Sequence, residues 1–140
     1  MTRLPTTHSP STILLAVGAL FGLAAVLLGA FGAHGLAERV SAERLAVWQT
    51  GAHYLGWHAT TLLAIALLGE RFRGVWLRVA AWSMVLGCVL FSGSLFVLVL
   101  TDTPAWGAVT PFGGVALAVG WAALALGVLL GPRAGGAGDA

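Results

Sequence analysis

Residues 77–100 read LRVAAWSMVLGCVLFSGSLFVLVL, a stretch whose single charged side chain, Arg78, stands at its start. An α-helix rises about 1.5 Å per residue, so this length is enough to cross a hydrocarbon core of about 30 Å. Backbone polar groups find no water in lipid and must pair within the segment, as they do in a helix. Because polar and apolar residues do not alternate with period two, a strand of a membrane β-barrel is excluded. The stretch therefore predicts a transmembrane helix.

Three further stretches have the same apolar character: residues 12–33, 45–69 and 107–130. Of the 140 residues, 59% are hydrophobic and 9% are charged, and the mean hydropathy is +0.94. A soluble domain is nearer half apolar and a quarter charged, because its surface faces water. These values exclude a soluble enzyme and a nucleic-acid-binding domain, and they make membrane lipids the expected surroundings. We expect an all-α membrane protein, a compact bundle of four antiparallel transmembrane helices.

The placement of arginine predicts the orientation of the four spans. Arg39 and Arg44 fall on one side of the membrane, and the other five arginines fall on the opposite side: Arg3, Arg71, Arg73, Arg78 and Arg133. The positive-inside rule puts the larger group in the cytoplasm, and with it both termini. We therefore expect a multi-pass protein of the bacterial inner membrane. Its single domain covers residues 12–131, between a flexible N-terminus (1–11) and a disordered tail (132–140).

Small residues recur at spacings of three and four in the first and the last span. The two stripes are Gly18, Gly22, Ala25, Gly29 and Gly32, and Gly113, Ala116, Gly120, Ala123 and Gly127. Close backbone approach through small residues drives helix association in lipid. The stripes predict packing between helices, and such stripes also serve between subunits. A homo-oligomer, or an accessory subunit of a larger membrane complex, is therefore expected.

Polar side chains within the spans are the candidates for function. Eight of them share a depth between the membrane centre and the outer face: His34, Gln49, His53, Tyr54, His58, Ser92, Ser94 and Thr110. They predict a polar pocket that opens outward. Ser41 is a further local signal, since serine is a preferred N-cap and here precedes the second span.

Three interpretations of these polar groups stay open. The first is a structural or accessory protein whose polar groups hydrogen-bond across helices. The second is a binder or transporter of a lipid, a quinone or a small solute. The third is a haem or metal carrier using His34, His53 and His58. However, His53 and His58 are five residues apart and point away from each other, and no carboxylate or cysteine lies at their depth. We predict no cofactor and no bound metal.

Catalytic motifs are absent from the sequence. It contains no CxxC, HExxH or GxSxG motif, and no acidic residue in the middle of a span. No nucleophile or acid–base set is complete, so no catalytic residue is predicted. The structural or accessory interpretation is the leading one.

Four short motifs occur in order along the chain: GAFGAHGL at 29–36, His58-Ala59, FSGSL at 91–95 and TPFGG at 110–114. In these the sequence resembles a family of small membrane proteins of unknown function. Its animal members are called transmembrane protein 256, and its bacterial members are uncharacterised inner-membrane proteins. The resemblance runs from about Leu15 to Leu130. It implies four membrane helices and a membrane location, and it brings no activity, substrate or cofactor.

Overall fold

The computed structural model describes residues 10–71 and 74–130, and nearly all of them are helical. The elements are α1 (Pro10–Phe31), a π-helical turn (Gly32–Leu36), α2 (Ala42–Arg71), α3 (Val75–Thr101), a 3₁₀ helix (Pro104–Ala108) and α4 (Thr110–Leu130). The predicted flexible N-terminus and disordered tail lie outside the described residues, except that Pro10 and Ser11 already open α1. The all-helical prediction is confirmed.

Three helical segments are long and apolar enough to cross a membrane. They are Ser11–Leu36, with 26 residues, and Val75–Thr101 and Pro104–Leu130, with 27 residues each. Three of the four predicted spans are thereby confirmed in length and composition. The fourth lies in α2, which has 30 residues but falls short in apolarity. It carries the polar side chains Gln49, His53 and His58.

The four long helices pack in chain order. α1 lies against α2, α2 against α3, and α3 most closely against α4, whereas α1 and α4 share at most marginal contact. A core cluster joins buried Leu62 of α2, Met84 of α3 and Ala123 of α4, and Phe21 of α1 packs against it. The α2–α3 pair is therefore central, and the outer helices cover it from different sides.

Glycines set the close approach of α4 to α3. A Cβ at Gly113 would overlap the backbone N and Cα of Phe91, and one at Gly120 would lie 2.6 Å from Met84 Cγ. Gly127 likewise lies against Leu77. All three glycines are buried. The stripe predicted in the last span is therefore confirmed as a packing face.

The stripe predicted in the first span packs only in part. A Cβ at Gly18 would lie 2.9 Å from Leu63 Cδ2 of α2. A Cβ at Gly29 would meet no atom within 4 Å. Gly18 and Gly29 are about three turns apart and share one side of α1, but the close contact with α2 at Gly18 is not repeated at Gly29.

A polar contact joins the start of α2 to the end of α3. The backbone N–H of Arg44 donates to Ser41 Oγ at 3.2 Å, which confirms the predicted N-cap. The Arg44 guanidinium, Nη2, lies 2.6 Å from Asp102 Oδ1. Asp102 ends α3 in the left-handed conformation, with φ of 49°. The start of α2, with Ser41 and Arg44, and the end of α3, with Asp102, thus lie together; we call this the polar end of the helices.

Trp48 is a core residue, although tryptophan in membrane proteins is enriched at the membrane–water boundary. Its side chain is 1% exposed, and its Nε1–H donates to the carbonyl of Leu28 at 2.7 Å. A side chain at position 32 would lie 2.6 Å from Trp48 Cδ1, so Gly32 makes room for the indole. Trp106, in contrast, is exposed. Trp48 thus fastens α2 to the last turns of α1.

Candidate functional site: an aromatic cleft

An aromatic cleft of about 520 Å³ lies between α2 and α4, with α3 as its floor. This volume falls within the range of small-molecule sites. Aromatic side chains dominate the lining, and one imidazole and small α4 residues complete it. The residues of the aromatic cleft are Tyr54, Trp57, His58, Phe91, Gly114, Leu117, Ala118 and Trp121.

His58 links the two walls of the aromatic cleft. Its Nδ1 lies 2.7 Å from the carbonyl oxygen of Tyr54, one turn earlier on α2. Since a carbonyl only accepts, Nδ1–H donates, and Nε2 keeps a lone pair. That lone pair accepts the indole N–H of Trp121 at 3.1 Å. Both ring nitrogens are therefore engaged, and His58 fixes the position of the Trp121 ring.

The floor and the rim of the aromatic cleft are built from rings. Tyr54 stacks on Phe91 with centroids 4.5 Å apart and 27° between the planes, and it also packs against Trp57. At the rim, Trp57 is 61% exposed and Trp121 49% exposed. The Tyr54 hydroxyl has no hydrogen-bond partner within residues 10–71 and 74–130. The Trp57 indole N–H has no partner in these ranges either, so the cleft offers flat apolar surfaces, one phenol hydroxyl and one indole N–H.

The position of the rim tryptophans along their helices is unusual. Trp121 stands about 16 Å from the start of α4 and about 14 Å from its end, at 1.5 Å per residue. Tryptophan is enriched at the two membrane–water interfaces, where its N–H meets polar groups. Here the Trp121 N–H is satisfied by His58 instead. This contact allows an indole to stand at mid-helix beside an open cleft.

Three hydroxyl residues of the predicted pocket do not line the aromatic cleft. Ser94 Oγ lies 2.8 Å from Thr110 Oγ1 and also donates to the carbonyl of Phe91, so it links α3 to the start of α4. Ser92 is buried, and its hydroxyl has no hydrogen-bond partner in the described part of the chain. Of the predicted set, the structure brings Tyr54 and His58 together in one cleft.

The remaining predicted residues are exposed and lie outside the aromatic cleft. His34 lies in the π-helical turn, and Gln49 and His53 lie on the outer side of α2. His53 stacks on Trp57 with centroids 6.2 Å apart. Across the described ranges, no three His, Cys, Asp or Glu side chains come together as metal ligands do. The geometry therefore gives no support to a haem or metal site on His34, His53 and His58.

Sequence reasoning missed the aromatic members of the cleft. Trp57, Phe91 and Trp121 appeared as apolar span residues, because an aromatic ring in a span has the same apolar character as its neighbours. One signal was available: Trp57 and Trp121 stand in the middle of predicted spans, away from the interfaces that tryptophan favours. That Trp121 reaches His58, 63 positions away in sequence, depends on tertiary packing.

Comparison with known proteins places the chain in a family. The family described as "Protein of unknown function (DUF423)" matches residues 28–114. The chain belongs to this family. The match begins in α1 and ends at Gly114, so it covers the α2 and α3 parts of the aromatic cleft. No solved structure matches the chain.

Bacterial proteins that carry the name UPF0382 extend the similarity over most of the chain. The "UPF0382 membrane protein YwdK" of Bacillus subtilis is 44% identical over 110 residues, which cover 78% of this chain and 89% of that protein. The "UPF0382 inner membrane protein YgdD" of Escherichia coli K12 is 38% identical over 119 residues, covering 85% and 91%. The predicted resemblance to uncharacterised bacterial membrane proteins is confirmed. This DUF423 protein is a membrane protein.

Proposed function

We propose that this DUF423 protein spans the inner membrane four times and holds a lipophilic ring compound of the quinone class in its aromatic cleft. The observation that carries the proposal is the cleft itself. It combines stacked rings at its floor and rim with two tryptophans at mid-helix. A site of this kind, open to the lipid, takes a ligand that arrives through the membrane.

The four-span topology is supported by packing and by helix length. The start of α4 lies against the second half of α3, and its end lies against the start of α3, at Leu77. α3 and α4 thus run in opposite directions, as two successive spans do. α2 lies beside the candidate spans α1 and α3, and it is long enough to cross. Its polar side chains, such as His58, are tolerated where neighbouring helices satisfy them.

The polarity of the aromatic cleft selects the ligand class. Both nitrogens of His58 are engaged, which leaves the Tyr54 hydroxyl and the Trp57 indole N–H as the side-chain donors for a ligand. A sugar, a phosphate or an ion needs more polar partners than this. A quinone ring is flat and bears carbonyl acceptors, so it can stack on the aromatic residues and accept from Tyr54. Gly114 and Ala118 leave room for it along α4.

Photolabelling of the protein in lipid nanodiscs tests this proposal. The probe is a benzoquinone with a ten-carbon tail and a photoreactive group, and the products are mapped by mass spectrometry of peptides. We expect label on the peptides containing Tyr54–His58 and Gly114–Trp121, and we expect excess unlabelled quinone to remove it. Equal label on every lipid-facing segment, insensitive to competition, would contradict the site.

A matched pair of variants locates the binding. Ala118→Phe adds a ring inside the cleft at an exposed position, so it should lower competed labelling about tenfold without disturbing the core. Val119→Phe adds the same ring at the adjacent exposed position outside the cleft, and labelling should persist. Tyr54→Phe keeps the stack and removes one hydrogen bond, which predicts a loss of affinity of about two- to tenfold. Labelling equal in both phenylalanine variants would overturn the assignment.

A further inference from the structure

One exposed side of α2 carries polar side chains, which is unusual for a helix that crosses a membrane. The polar face of α2 consists of Gln49, His53, Trp57, Thr60 and Ala64, at spacings of four, four, three and four. All five are exposed. Residues at these spacings lie one above another along a helix. The polar face therefore forms a continuous strip, adjacent to the aromatic cleft through Trp57.

The polar face runs along α2 away from the polar end of the helices. The ion pair of Arg44 with Asp102 marks that end, because charged groups stay out of hydrocarbon. Along α2, Gln49 lies about 8 Å and His53 about 14 Å beyond Arg44. With α2 as a span, which is part of the proposed function and on which this inference rests, His53 lies inside the bilayer.

Two members of the polar face lack the partners that lipid cannot supply. Neither the Gln49 amide nor the His53 ring has a hydrogen bond to the residues that the structure describes. The Thr60 hydroxyl, in contrast, donates to the carbonyl of Trp57. Lipid tails offer no donor or acceptor, so an amide and an imidazole facing them are costly. A protein surface that pairs with Gln49 and His53 removes this cost.

We propose that the polar face of α2 is covered by the same face of a second copy of this chain. A glutamine amide and a histidine ring each hold both a donor and an acceptor, so the face is complementary to itself. A two-fold axis brings identical patches together and satisfies both copies at once. The face contains no Asp, Glu, Lys or Arg, so no permanent charge repels its own copy. Thr60 and Ala64, four residues apart, allow the two α2 helices to approach closely.

Site-specific cross-linking in native membranes tests this contact. In a Cys88→Ala background, single cysteines replace Gln49, His53 or Thr60, and oxidation converts touching pairs into covalent dimers. We expect dimers at these positions, since a two-fold axis along the membrane normal sets the two α2 helices side by side and parallel, with each residue of the polar face near its counterpart. Cysteines at Leu23, Val89 and Val115, exposed on α1, α3 and α4, serve as controls and should stay monomeric. Thr60→Cys keeps both pairing residues, Gln49 and His53, so no dimer at position 60, or equal dimers at every position, would overturn the proposal.

A water-soluble maleimide applied to the same cysteines separates the two proposals. If position 53 reacts readily from water, α2 does not lie in the bilayer, and the four-span proposal fails together with the interface. If position 53 is protected but the cysteine at position 60 forms no covalent dimer, only the interface fails.

The affinity of two copies of the chain for each other, measured in lipid nanodiscs, gives an independent test of the interface. His53→Leu removes the ring that pairs across the axis, and because the change occurs in both copies, association should weaken about tenfold. Val89→Leu, a change at an exposed position on α3, should leave the dimer fraction unchanged in native mass spectrometry. A dimer fraction unaffected by His53→Leu would overturn the proposal, as would a wild-type protein that is monomeric at every concentration.

Discussion

Two serines of α3, both buried, differ in their hydrogen bonding. Ser94 bonds to Thr110 across the α3–α4 contact and to the carbonyl of Phe91. Ser92, 1% exposed, has no partner in the described ranges. A buried hydroxyl contributes to stability only when it is paired, and unpaired it carries the cost of leaving water. The two residues are close enough in sequence to serve as each other's control.

Ser94→Ala should lower the free energy of unfolding by about 1 kcal/mol, because Thr110 loses its interhelical partner. Ser92→Ala should leave the free energy of unfolding unchanged or raise it by up to about 1 kcal/mol, because it removes an unpaired polar group. Reversible unfolding in mixed detergent micelles, titrated with dodecyl sulfate, measures both. A larger loss for Ser92→Ala than for Ser94→Ala would contradict the hydrogen-bond assignment.

The relative placement of polar residues around a helix could be predicted from sequence, but their partners could not. His53 and His58 are five positions apart on α2, so their sequence spacing already places them on different sides of the helix. Which side faces the protein depends on how α2 is rotated against α3 and α4. The structure buries His58 and exposes His53. Of the predicted pocket, only the residues on the inward side entered one cleft.

At the scale of elements, glycine placement decides how closely the helices approach. Gly113→Ala introduces a methyl group that overlaps the backbone of Phe91, and backbone cannot move aside as a side chain does. The α3–α4 pair must separate, which should cost about 1–3 kcal/mol of unfolding free energy. The same dodecyl sulfate titration measures this loss.

Gly29→Ala provides the matched control for Gly113→Ala. Its added methyl group meets no atom within 4 Å, and alanine is favoured over glycine in a helix by about 1 kcal/mol in water. The free energy of unfolding should therefore stay constant or rise slightly. Equal losses in both variants would mean that helix propensity, and not the contact with Phe91, governs the effect.

Element lengths follow from apolarity, whereas local irregularities do not. The span predicted at 77–100 is observed as Val75–Thr101, and that predicted at 107–130 contains α4, Thr110–Leu130. Both were predictable, because the number of residues that cross lipid is set by its thickness. The π-helical turn at Gly32–Leu36 was missed. It forms where Gly32 admits the ring of Trp48, a contact between residues distant in sequence.

At the scale of the whole molecule, packing in chain order leaves α2 with two open sides. The side toward α4 forms the aromatic cleft, and the outward side forms the polar face. A fully closed four-helix bundle would bury the first of these sides, whereas the outward side would still face the membrane. Because α1 and α4 share at most marginal contact, the least apolar helix keeps access to molecules in the membrane. Ligand binding and self-association are thus proposed on neighbouring surfaces that share Trp57.

Single cysteines in the turns between helices test the topology of the chain. Ser41 and Thr103 are exposed at one end of the helices, and Gly74 is exposed in the turn between α2 and α3. Arg78 follows Gly74 closely, and the arginine-rich side is expected to be cytoplasmic. In a Cys88→Ala background, Ser41→Cys and Thr103→Cys should react with an impermeant maleimide on intact spheroplasts. Gly74→Cys should react only after lysis.

If Ser41→Cys and Gly74→Cys react from the same side, α2 does not cross the membrane. If Gly74→Cys alone reacts on intact cells, the chain is inserted in the reverse orientation.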